Sequence, residues 1–121
     1  MLMKKEKLNY VEFAARDLIQ TKQFFREAFG WTFVDYGDEY TAFSDQKING
    51  GFYKAELFSD NREGGALLIF YSSSIEATYE RVLKCGGVIV KEIFDFPGGL
   101  RFHFSEPSGN VFAVWSERYQ S

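Results

Sequence analysis

The chain has 121 residues, 45% of them hydrophobic and 26% charged, which suits one domain with a core of its own. A formal net charge of −3 without a basic stripe excludes nucleic acid as the expected partner, and no run approaches the ~18 apolar residues of a membrane span. One Cys, Cys85, excludes an internal disulfide framework and, with one His, a structural zinc site, so a cytoplasmic, reducing location is expected.

Residues 1–7, with three Lys, read as a solvated arm rather than a signal sequence, because no apolar stretch follows them. Residues 8–14 alternate as a short strand. Asp17, with Gln20 three positions on, fits a capping box that opens a helix. Leu18, Thr21, Phe25 and Ala28 then share one helix face, and Gly30 can end the helix in the left-handed conformation. Three strands are predicted next: WTFVDY, EYTAF and NGGFY.

The polar, aperiodic segment 54–65 reads as a connector, because beyond it the pattern starts again. Shifted by 57 residues, the offset from Gly30 to Gly87, NYVEFAARDLIQTKQFFREAFGWTF falls on ALLIFYSSSIEATYERVLKCGGVIV. Residues 66–72 form the predicted strand, and Ser73 with Glu76 the capping box. Ile75, Thr78, Val82 and Cys85 make the helix face, with Gly87 as its end. Cys85 reads as a small buried hydrophobe. The strands VIVKEI, LRFHF and NVFAVW close the second copy, the last two joined by the turn Pro107–Asn110. The expected fold is α+β: two βαβββ modules, about 8–53 and 66–117, in one domain spanning 8–117.

The duplicated pattern resembles the vicinal oxygen chelate superfamily, which includes glyoxalase I, the bleomycin and fosfomycin resistance proteins and the extradiol dioxygenases. Two stretches carry the resemblance: YVEFAARDLIQTKQFFREAFGW near the start and FHFSEPSGNVFAVW near the end. It implies curved mixed sheets around a cup, with helices outside. In metal-using members, first-strand and last-strand residues of each module hold a divalent ion. Carried over, those slots fall on Tyr10, Leu67, Ala113, and either Phe52 or, one register along, Gly51. None offers a carboxylate or an imidazole, so no metal and no other cofactor is expected.

Alternation assigns the rest of the cup. With Tyr10 facing inward, Glu12 follows it on the first strand, and Tyr71 follows Leu67 on the fifth. Ala113 and Trp115 face inward on the last strand, Arg101 and His103 on the seventh, while Phe102, Phe104, Phe112 and Val114 turn to the helices. An apolar lining with a few polar groups is the composition of a small-molecule site. A protein binding a small, partly apolar molecule is therefore the leading expectation. The alternative is a lyase- or isomerase-type enzyme in which Glu12 is the general base and His103 its acid partner, with or without a non-standard metal site. A purely structural cluster of Glu12, Arg101 and His103 competes with both. The resemblance also implies a homodimer.

Overall fold

Gly30 takes φ 71° and Gly86 takes φ 99°, and at these two points the chain leaves a helix and returns to a sheet. In this computed structural model, which describes residues 6–44 and 47–119, the first half forms β1 (Tyr10–Ala15), α1 (Leu18–Phe29), β2 (Thr32–Asp35), β3 (Tyr40–Ser44) and β4 (Asn49–Lys54). The second half forms β5 (Leu68–Tyr71), α2 (Ile75–Lys84), β6 (Val88–Phe96), β7 (Gly99–Ser105) and β8 (Val111–Ser116). Each half makes one four-stranded mixed sheet, ordered β1-β4-β3-β2 and β5-β8-β7-β6. The duplication read from the sequence is thus kept strand for strand. Most of the expected N-terminal arm lies outside the described residues. Among the described residues, no helix is long and apolar enough to cross a membrane.

The first helix forms as its sequence dictates. Asp17 is extended at the cap, and its Oδ1 accepts from the backbone N–H of Gln20 at 3.0 Å. At the other end Gly30 N–H donates to Arg26 O and Trp31 N–H to Phe25 O, closing the last turn. The second helix departs from expectation at both ends. Ser74, not Ser73, is the cap residue, and it makes no side-chain capping bond. Instead Ser72 Oγ accepts from Ser74 N–H at 3.0 Å and lies 2.7 Å from Thr78 Oγ1. Gly86, not Gly87, is left-handed. A Cβ on Gly87 would lie 2.6 Å from Val82 Cγ1 and 3.0 Å from Phe24 Cε1, so Gly87 serves close packing between the helices.

Both helices lie over one shared core. Phe25 of α1 stacks on Phe52 of β4 at 5.6 Å and meets Phe112 of β8 edge-on at 5.2 Å. Phe24 reaches Phe104, and Phe29 stacks on Phe70 at 4.0 Å between ring centroids. One helix therefore cements both sheets. Most of the aromatic content is used here, and burial of each ring stabilises the fold by about 1.5–3 kcal/mol. Cys85 is half-buried at the end of α2, and burial pushes its thiol pKa up.

The EPSGN turn between β7 and β8 is a buried polar clip. Glu106 Oε1 accepts from Thr21 Oγ1 at 2.7 Å and from Ser108 N–H at 3.0 Å; Oε2 accepts from Asn110 Nδ2 at 2.7 Å and from Asn110 N–H at 3.3 Å. Asn110 Oδ1 accepts from Ser59 N–H at 2.7 Å, tying in the connector. Every buried side-chain polar group of the clip is paired, as a buried network requires. The connector also contains a single 3-10 turn, Asn61–Glu63, which the sequence reading left without structure.

Candidate functional site

The faces of the two sheets turned away from the helices carry the cup residues, and strand register decides which they are. Glu12 pairs with Gly51 and Ile69 with Ala113 across parallel ladders. Glu12 and Ile69 are repeat equivalents, so the counterpart of Ala113 in the first module is Gly51. Phe52 is no part of the cup: it is fully buried against Phe13, Phe25 and Phe43 on the helix side. The one-residue step that separates opposite faces of a strand is the reason.

On the first sheet, Tyr10, Glu12 and Tyr40 form a chain of hydrogen bonds. Tyr40 Oη donates to Glu12 Oε2 at 2.9 Å, and the Tyr10 and Tyr40 hydroxyls lie 2.5 Å apart. With the Tyr40 hydroxyl hydrogen directed at Glu12, Tyr10 donates to Tyr40. Burial, reinforced by these two partners, pushes the Tyr40 phenol well above its ordinary pKa. Gly51 makes the arrangement possible, since a Cβ there would stand 2.0 Å from Tyr40 Oη. Tyr40 was not among the sequence candidates; it pairs with Tyr53, and its ring reaches diagonally over Gly51, whose own cross-strand partner is Ala42.

On the second sheet, Ile69, Tyr71, Ala113, Trp115, Arg101 and His103 share the open face, as alternation implied. Tyr71 meets Trp115 edge-on at 5.1 Å and donates to a Glu117 carboxylate oxygen. Leu67 is half-buried just before β5 begins. Arg101 Nε donates to His103 Nε2 at 3.1 Å. Burial, with the charges of Arg101 and Lys91 adding to it, holds His103 below its ordinary pKa of 6.5, so the imidazole is neutral at pH 7 and can accept that bond. Phe94 and Phe96 of β6, absent from the sequence candidates, complete the wall. Phe94 meets His103 edge-on at 5.8 Å, and Phe96 meets Trp115 at 6.3 Å.

Ile69, Phe96, Gly98, Arg101 and Trp115 line an open hollow of about 250 Å³ on this face. A larger open groove, about 680 Å³, lies on the helix side between α1, the end of α2 and the EPSGN turn. Its buried carboxylate, Glu106, is already fully engaged in the clip. The smaller hollow has an apolar wall and one charged group, Arg101, at its margin.

The structure keeps Glu12 and His103 on different sheets, each with its own partner: Tyr40 for the carboxylate, Arg101 for the imidazole. The four metal slots carry a phenol at Tyr10, a hydrogen at Gly51, and hydrocarbon at Leu67 and Ala113. Among the described residues no three of His, Cys, Asp and Glu converge. These donors do not fit a divalent ion held in the family's manner.

Paired βαβββ sheets with helices on one face, an open face opposite and an EPSGN turn locking the halves together define a glyoxalase-type protein. Residues 7–114 match the family model of the Glyoxalase/Bleomycin resistance protein/Dioxygenase superfamily, and the chain belongs to that superfamily. Solved structures agree in fold. A glyoxalase-related enzyme from Fulvimarina pelagi has a TM-score of 0.77 at 16% identity, covering 93% of this chain and 89% of that one. A fosfomycin resistance protein from Listeria monocytogenes also reaches 0.77, at 15% identity over 96% of this chain and 100% of that one. A family enzyme from Burkholderia phytofirmans gives 0.76 at 17% identity, covering 92% and 98%. Among curated proteins no sequence matches. At such identities the structural likeness speaks for the fold alone.

Proposed function

We propose that the protein binds a small, partly apolar molecule on the open face of its second sheet, without a divalent ion in the slots that metal-using relatives fill. The observation carrying this reading is the hollow walled by Ile69, Phe96 and Trp115, with Arg101 at its margin. An apolar wall beside one fixed charge gives a ligand both burial and orientation. Residues Tyr10, Glu12, Tyr71, His103 and Ala113 belong to the faces around that ligand. The lyase- or isomerase-type alternative requires Glu12 and His103 to reach one substrate together, and their separate partners favour it less.

Pairing of two copies is part of the proposal. Tyr10 and Ile69 are each 45% exposed and Tyr71 is 53% exposed, large apolar area for one open surface. A second copy laid over these faces would cover that area and close the cup. A homodimer in the cytoplasm is the form we propose.

The test is a thermal-shift series on the metal-stripped protein, with elemental analysis alongside. Small aromatic and branched aliphatic molecules are expected to raise the melting temperature, while zinc, nickel and manganese leave it unchanged. Stoichiometric metal uptake by the stripped protein together with a metal-dependent shift would overturn the reading.

A further inference from the structure

The cations of the second sheet are unmatched. Among the described residues three ion pairs form, Lys22 with Asp35, Arg62 with Asp60 and Arg118 with Asp95, and neither Arg101 nor Lys91 takes part in one. Both sit on the open face. Lys91 Nζ lies 4.1 Å from the centroid of Phe94, and Arg101 Cζ lies 5.9 Å from Phe94 and 5.6 Å from Phe96. In a chain of net charge −3, two cations gathered over aromatic rings, neither of them in an ion pair among the described residues, make a local positive field.

Arg101 is also held in one orientation. Its Nε is committed to His103 Nε2, His103 is only 6% exposed, and β7 pairs Arg101 with Trp115 of β8 and with Phe94 of β6. Its two terminal nitrogens have no hydrogen-bond partner among the described residues. A guanidinium fixed through Nε presents those nitrogens as a fork, the geometry that binds a carboxylate through two oxygens. With Nε2 accepting, the neutral imidazole carries its proton on Nδ1, which likewise has no partner among the described residues.

Resting on the proposed ligand site, we infer that its ligand is a small monocarboxylate with an apolar body: the carboxylate engages the Arg101 guanidinium in the field of Lys91, and the body lies against Ile69, Phe96 and Trp115. The hollow of about 250 Å³ is of a size for one aromatic ring or a branched aliphatic chain. Gly98 at its rim leaves the approach free of a side chain.

The experiment is two-dimensional NMR of the indole N–H groups, with Trp31, buried in the core, as the internal control. The probes are benzoate, phenylacetate and isovalerate, each beside its uncharged amide. The carboxylates should shift the Trp115 signal, leave Trp31 unmoved, and bind about tenfold or more tightly than the amides, a margin that shrinks as salt is raised. Arg101→Gln should remove that margin while leaving weak amide binding in place, and Lys91→Gln should reduce it in part. Equal binding of acids and amides would overturn the carboxylate inference but leave the ligand site standing. No shift of Trp115 with either class would overturn both. An Arg101→Gln protein that keeps the margin would overturn the role of Arg101, and its unchanged Trp31 signal would show that the variant is folded.

Discussion

The side-chain amide of Asn110 donates to the backbone carbonyl of Ala14 at 2.8 Å, joining the last hairpin to the first strand across 96 positions of sequence. The same side chain bonds Glu106 and the Ser59 backbone, so one residue links both modules and their connector. Ala cannot replace any of these contacts. Asn110→Ala is expected to lower unfolding stability by about 2–3 kcal/mol, because buried partners are left unsatisfied. Urea denaturation measures this, and a loss below ~0.5 kcal/mol would deny the clip its role.

Glu106 gives the clip a pH dependence. Burial pushes its carboxyl above the ordinary value of 4.5, partly opposed by hydrogen bonds from Ser108, Thr21 and Asn110. The native state then holds the proton more tightly than the unfolded chain. Stability from this residue falls as pH rises from 4.5 through the raised folded value, and is level above it. Glu106→Gln removes that decline. It also turns an amide NH₂ toward donors of Ser108 or Asn110, at a cost of about 1–3 kcal/mol at pH 7. Denaturation curves of both proteins across the acid range test the pair of effects.

His103 works in the opposite sense. Its folded pKa lies below 6.5, so the unfolded chain binds the extra proton first. Its contribution is fully present above pH 6.5 and is lost as pH falls through the depressed folded value. His103→Asn should flatten the stability profile just below pH 6.5. An unchanged slope there would mean that the imidazole is not held neutral by its surroundings.

Gly51 and Tyr40 should be energetically coupled. A Cβ at position 51 would meet the Tyr40 ring atom Cζ at 2.4 Å, so Gly51→Ala must displace the phenol and break its bond to Glu12. The expected cost is about 1–3 kcal/mol, and less when the same change is made beside Tyr40→Ala. A double-mutant cycle measures the coupling; strictly additive effects would show that the two positions do not touch.

Much of this molecule could be read along the chain. Asp17 and Gly30 bound the first helix as their chemistry requires, and the order of strands repeats after the connector as the internal match implies. The parities of β7 and β8 also followed from alternation, with Phe102, Phe104, Phe112 and Val114 in the core. The second helix was placed one residue off at both ends, because Ser72, Ser73 and Ser74 offer equivalent caps and Gly86 and Gly87 equivalent ends. Packing against Val82 and Phe24 chose between the glycines. Phe52 and Gly51 were likewise left open by sequence, and the parallel register with β1 settled them.

What the sequence determined by itself is local and periodic: the duplicated βαβββ pattern, the capped first helix and the absence of ligating side chains from the metal slots. Those follow from neighbours a few positions apart and from alternation. What the tertiary structure decided is the company each polar group keeps. Two register shifts along β6 set Lys91 opposite His103 and Phe94 opposite Arg101, a spacing of three that simple alternation assigns to opposite faces. Only with the strands laid side by side do two unpaired cations, a neutral imidazole and an aromatic wall meet on one surface, because a bulge is fixed by pairing with another strand.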